Sequence, residues 1–256
     1  MSGGGLPVPG GRRVLHRIDN AWGRLRALCG APVLCRGRMT AARHPHGDRQ
    51  PTDLLDSHAG CAKTHINHSS FRDVLHHLGG RPADILETGS SAWGTNSTCL
   101  WDAYVQQFSG RVWSVDIRRT AGRQLRDHVS PATMLITDDS VRFLSRFCQQ
   151  HTQTHLALVY LDSWDLDPLC PLPAALHCVR EYEAIRPLLH GGALLLVDDT
   201  PAGDDWLTPD LRDEAVRYRI RHGMLPGKGM LLDLMLQRHP GVEKLHHRYQ
   251  ALYRFS

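Results

Sequence analysis

Five short apolar runs, at residues 84–87, 112–116, 134–137, 156–162 and 193–198, are separated by segments of helical length. Runs this short and this apolar read as strands buried on both faces, which occur where helices cover both sides of a parallel sheet. The intervening segments, 97–108, 119–128, 140–149 and 174–189, read as those helices. Strand alternating with helix predicts an α/β fold with a Rossmann-like, doubly wound, mainly parallel sheet. A helix over 209–221 is then expected, followed by strands at 230–236 and 249–255 that would close the sheet with a carboxy-terminal antiparallel hairpin.

Ahead of this pattern, Gly, Pro, Arg and His dominate up to about Pro51, so residues 1–51 read as a basic extension and 52–256 as the domain. Phe71, Val74, Leu75 and Leu78 share one helical face before Gly79 and Gly80 end the element. In the extension, Val14, Ile18, Trp22 and Leu25 also line up, amid Arg12, Arg13, Arg17, Arg24 and Arg26. Such a helix fits an organelle transit peptide or a membrane-surface anchor, and equally a helix packed on its own domain or a partly ordered tail.

At 256 residues the chain has room for one such domain. Hydrophobic residues at 41% and charged residues at 22% match an ordinary folded protein. The formal charge of +4 is concentrated in the extension and gives no strong nucleic-acid signal. Seven scattered cysteines without a CxxC pair suit a reducing compartment. No run reaches the roughly 20 apolar residues of a membrane-spanning helix, and a cytoplasmic location is the expectation.

In an open α/β sheet, ligands sit beyond the carboxyl ends of the strands. The first strand ends in Glu87-Thr88-Gly89-Ser90-Ser91-Ala92-Trp93-Gly94, whose small residues let backbone N–H groups approach a ligand. The second ends in Asp116, at the interval where an acid can accept the two hydrogen bonds of a ribose diol. Glycine loop and acid together also fit a nicotinamide or flavin enzyme. The loop, however, lacks G-x-G-x-x-G, and a carboxylate at Glu87 suits a cationic, phosphate-free ligand better than a pyrophosphate, or serves to orient the loop.

Glu87-x-Gly89, Asp116, Asp139-Ser140 and Leu158-Val159-Tyr160-Leu161-Asp162 resemble, in order and spacing, the motifs of class I S-adenosylmethionine-dependent methyltransferases over residues 83–200. The resemblance implies S-adenosylmethionine as cofactor, with Gly89, Ser90, Ser91 and Gly94 about its methionine part, Asp116 on the ribose, and Asp139 and Ser140 beside the adenine. Trp164 is the tryptophan placed to stack there.

Asp162 closes the fourth strand and Asp198-Asp199 the fifth, so these carboxylates should converge. Three hard oxygen ligands without Cys or His suit Mg²⁺ or another divalent cation, which would hold a substrate hydroxyl and lower its pKa. The arrangement is similar to metal-dependent O-methyltransferases of the catechol and macrocin types, which implies methylation of a small-molecule hydroxyl. Where the catechol pattern places a lysine base, this chain has Asp165 in Asp162-Ser163-Trp164-Asp165, leaving Asp165 as a candidate base or a further metal neighbour. Strand-end acids also act as helix N-caps, a role open to Asp165 and Asp199. The missing lysine leaves a catalytically inactive binding module as the alternative, with a nicotinamide-dependent dehydrogenase behind it.

Two further clusters read as bland. Cys61, His65 and His68 lack the paired spacing of a zinc site. Gly227-Lys228-Gly229 resembles a phosphate grip without the helix of a P-loop, and reads as a turn with Lys228 exposed before a strand at 230–236.

Overall fold

The computed structural model describes residues 50–256 apart from residues 59, 62, 91–94 and 208 and the side chain at 210. The expected amino-terminal helix, Ser91, Trp93 and Gly94 therefore lie outside the described residues.

The order is α1 (Asp53–Ser57), α2 (His68–Leu78), β1 (Ala83–Thr88), α3 (Ser97–Phe108), β2 (Gly110–Asp116), α4 (Arg119–Leu125), β3 (Thr133–Thr137), α5 (Ser140–Gln150) and β4 (Leu156–Leu161). After these come α6 (Leu172–Ile185), β5 (Leu194–Val197), α7 (Pro209–His222), α8 (Met230–Leu236), β6 (Val242–His247) and β7 (Ala251–Phe255). The seven strands form one sheet in the order β3-β2-β1-β4-β5-β7-β6. Strands β1 to β5 pair in parallel, whereas β7 runs antiparallel to both β5 and β6.

Alternate residues of each central strand feed opposite faces, as the period of a strand requires. Leu86, Val159 and Leu195 join Leu144, Phe147, Tyr182 and Leu232 on the face covered by α5, α6 and α8. Ile85, Leu158, Tyr160 and Leu194 join Leu55, Phe71, Leu75 and Trp101 on the face covered by α1, α2 and α3. This double cover is the reason the strands read as unbroken apolar runs. Gly79 ends α2 with φ +62°, a left-handed cap that suits glycine.

The tail differs from expectation. Residues 230–236 form α8, not a strand, and the hairpin is made by β6 and β7. Met-Leu-Leu-Asp-Leu-Met-Leu contains no β-branched residue, and its Met and Leu side chains lose little freedom in a helix. Met230, Leu232, Asp233 and Leu236 are its buried positions, at helical spacing. Asp233 is tied down by Tyr253 Oη at 2.5 Å and Lys244 Nζ at 2.5 Å, contacts that fix α8 against the hairpin.

Candidate active site

The strand order reverses between β1 and β4, and the turn after β1 lies against the end of β4. Gly89 has φ +85°, and a Cβ there would collide with the backbone carbonyl of Asp162. Only glycine allows this approach. The Gly89 N–H donates to Val115 O at 2.8 Å and the Asp162 N–H to Thr88 O at 2.9 Å, locking the three strand ends together.

At the ends of β1 and β2, Glu87 is fully buried. Its carboxylate accepts from Ser97 Oγ, from Thr98 Oγ1 at 2.5 Å and from Ser114 Oγ at 2.7 Å. Burial pushes its pKa up, opposed by these hydroxyls. Of the two roles open to Glu87 in the sequence, the geometry matches orientation of the loop, since Ser97 and Thr98 begin α3 and Ser114 sits on β2. Ser90 is buried beside it, its Oγ 2.6 Å from Ser114 Oγ. Asp116 accepts from the Arg118 N–H at 2.7 Å and from both ends of the Arg118 guanidinium, at 3.0 and 2.7 Å. The same guanidinium reaches Ser90 O at 3.2 Å. A ribose at Asp116 must therefore share its acceptor with Arg118, whose side chain is half exposed.

At the ends of β3 and β4, Asp139 caps α5, accepting from Arg142 N at 2.9 Å. Ser140 and Trp164 are brought together by a residue that sequence reasoning missed, His177. Its Nε2 lies 3.0 Å from Ser140 Oγ and its ring 5.0 Å from that of Trp164. Trp164 is 56% exposed, with φ +61°, so an open aromatic face borders this edge. Asp138 precedes the cap and pairs with Arg142 and Arg146.

At the ends of β4 and β5 the three expected acids do meet, around a cation the sequence reading left outside. Lys228 Nζ stands 3.0 Å from Asp162 Oδ1 and 3.5 Å from Asp199 Oδ2, with its side chain 2% exposed. The expectation of an exposed Lys228 is corrected: Gly227 and Gly229 let the segment press onto the end of β5. The Lys228 N–H donates to Asp199 O at 2.7 Å. A Cβ at Gly227 would stand 2.8 Å from that same oxygen, and one at Gly229 would strike Thr200 Oγ1.

Hydroxyl and amide groups complete the cluster. Tyr160 Oη donates to Asp162 Oδ2 at 3.1 Å, Gln250 Nε2 donates to Asp198 Oδ1 at 2.6 Å, and Tyr249 Oη donates to Asp199 Oδ1. Burial, then the neighbouring Asp162, holds Asp198 well above the usual carboxylate range. Burial beside Asp198, opposed by Lys228 and Tyr249, pushes Asp199 up to about 6. Burial pulls the Lys228 ammonium down, but the surrounding carboxylates outweigh it and raise its pKa well above the ordinary value. Asp165 is exposed, within electrostatic reach of Arg118 and Asp199.

A divalent cation does not fit this donor set. Its centre would compete with the ammonium for Asp162 and Asp199, and among the described residues no group of three His, Cys, Asp or Glu side chains is arranged to hold a metal. Cys61 lies in the core among apolar residues, its thiol pushed up by burial to about 12. A sulfonium nucleoside does fit. Acid side chains outnumber the ammonium at the ends of β4 and β5, Asp116 stands at the end of β2, and Ser140, His177 and Trp164 edge the far side. No helix among the described residues is long and apolar enough to cross a membrane.

A cleft of about 1110 Å³ opens beside the acids, walled by Trp206, Tyr249, His247, Arg248, Arg72 and Ser69 among others. Tyr249 connects it directly to Asp199.

Sheet order, parallel core and antiparallel hairpin define the class I methyltransferase fold. Among solved structures, MycE methyltransferase from the mycinamycin biosynthetic pathway, described in complex with Mg, S-adenosylhomocysteine and mycinamycin VI, shares this fold at 15% identity and a TM-score of 0.55. The match covers 81% of this chain, which spans only 55% of the MycE chain. Calicheamicin methyltransferase CalS11 matches at 16% identity and TM-score 0.48, covering 99% of this chain and 98% of that one. The Podospora anserina methyltransferase PaMTH1 matches at 12% identity and TM-score 0.48, covering 98% and 99%. No family model and no curated protein sequence matches the chain.

Proposed function

We propose that this chain is an S-adenosylmethionine-dependent methyltransferase acting on a hydroxyl group of a small molecule. The observation that carries the reading is the meeting of Asp162, Asp198 and Asp199 on the strand edge against which Gly89 packs. The fold shared with MycE supports it. S-adenosylmethionine, when bound, supplies a methyl group on a positively charged sulfur.

Gly89 and Ser90, with Ser91 and Gly94, cradle the methionine part, and Asp116 takes the ribose diol once Arg118 yields its place. Asp139 and Ser140 border the adenine, with Trp164 as its stacking face. The acceptor enters through the cleft beside Trp206 and Tyr249, the aromatic pair whose rings lie 5.1 Å apart. The acceptor hydroxyl donates to Asp199 in line with the methyl group, beside Asp162, which anchors Lys228 there. As the acceptor oxygen takes the methyl carbon, the S–C electron pair stays on sulfur and the hydroxyl proton passes to Asp199. Asp165, exposed at the same edge, relays that proton to solvent. No step runs through a divalent cation, because Lys228 stands in its place.

Calorimetry with S-adenosylhomocysteine tests the reading. Binding to the wild type that is lost in Asp116→Ala is the expected result, and no heat from the wild type would end it.

A further inference from the structure

We propose that the ammonium of Lys228 is the permanent cation of this site, so that the carboxylate cluster works with divalent metals stripped away. The proposal disagrees with the metal that the acid pattern implies, and it rests on the proposed methyl transfer only for its activity arm.

Four observations point the same way. The ammonium is central, lying against Asp162 and Asp199 at once. Lys228 is 1% exposed, so water does not screen the pairing. Its backbone is fixed by the bond from its own N–H to Asp199 O. Both flanking positions are glycines packed where a side chain would collide with β5 or the residues that follow it. Gly-Lys-Gly is thus a device for delivering a charge into a crowded strand edge. A second cation would have to sit beside the first in a water-poor pocket, where repulsion between like charges is strong.

An ammonium carries three N–H donors. One donates to Asp162 Oδ1 at 3.0 Å while the ammonium stands 3.5 Å from Asp199 Oδ2, and we assign a remaining donor to the acceptor oxygen. Lys228 then orients that oxygen and stabilises negative charge developing on it, the part a metal would otherwise play. The proton still leaves to a carboxylate, so the step balances without a Lewis acid.

Electron paramagnetic resonance of added Mn²⁺ counts bound ion in the full-length chain, whatever its turnover. The wild type is expected to leave Mn²⁺ free, and EDTA is expected to change its turnover by less than about twofold, unlike an enzyme whose nucleophile a metal activates. Lys228→Ala removes the ammonium and leaves the carboxylates facing a void, so it should bind one Mn²⁺ per chain. In that background Asp162→Asn should weaken Mn²⁺ binding at least about tenfold. Stoichiometric Mn²⁺ on the wild type, displaced by Mg²⁺ and lost in Asp162→Asn, would overturn the proposal. A folded Lys228→Ala that leaves Mn²⁺ free would also overturn it. The wild-type measurement decides by itself where Lys228→Ala does not fold. Failure to bind S-adenosylhomocysteine would sink the methyltransferase reading and leave the cation assignment standing.

Discussion

The two ends of the candidate site solve the same problem, a carboxylate held out of water, with partners drawn from different distances along the chain. Around β1 and β2, Glu87 is served by three hydroxyls and Asp116 by an arginine two residues away. Around β4 and β5, Asp162 takes its cation from 66 residues downstream, and Asp198 its amide from 52 residues downstream. Partners within 27 residues make the first end a frame assembled from the amino-terminal half of the domain. Partners more than 50 residues downstream make the second end dependent on the carboxy-terminal third being folded, and that is where the chemistry is proposed to lie.

Substitutions can break or sharpen this contrast. Lys228→Met should have the largest effect on stability, about 3–5 kcal/mol in denaturant unfolding, because it strands two buried carboxylates. A loss below about 1 kcal/mol would mean that the two ends do not differ. Glu87→Gln should cost about 1–3 kcal/mol, since a neutral amide keeps one acceptor oxygen but turns an NH₂ toward hydroxyls that were donating. The order of these two losses, read from urea midpoints, is the direct test of the comparison.

Arg118→Ala should leave stability within about 1 kcal/mol, because the pair is half open to solvent. It should tighten S-adenosylhomocysteine by up to about tenfold, the worth of one hydrogen bond freed at Asp116. Weaker binding in calorimetry would show that the guanidinium belongs to the cofactor site.

The smallest effect is expected at Asp233, outside both ends. Burial pushes this carboxyl up, but Lys244 and Tyr253 prevail and hold it below the ordinary range. A carboxylate depressed by folding contributes stability above its unfolded value of about 3.9, and the contribution is lost as pH falls through the lower folded value. Lys244→Met should flatten the acid limb of stability against pH, and an unchanged limb would refute the assignment.

The same difference in reach decided what the sequence disclosed. Strand positions, the order of motifs and the convergence of Asp162, Asp198 and Asp199 were legible because each follows from local apolar periodicity and from the geometry of parallel strands ending side by side. Lys228 was not, because nothing within a few residues of Gly-Lys-Gly reveals which surface the glycines press against. The signal present was the pair of glycines itself, which a merely exposed turn does not need on both sides. The segment 230–236 misled for a related reason: a short run of Met and Leu satisfies strand and helix alike until Asp233 finds Tyr253 and Lys244. His177 and Arg118 were hidden inside helices and turns whose other residues have ordinary surface patterns.

Gln250 ties the protein's two halves in a fixed sense. Its amide oxygen accepts from Ser70 on α2, while its nitrogen donates to Tyr160 and to Asp198. An amide turned end for end would set its oxygen against Tyr160 Oη, whose proton is already given to Asp162, so this bridge holds one sense. Ser69 and Arg72 on the same helix wall the cleft, so one hydrogen-bonded path joins the vestibule's wall to the acid at the end of β5.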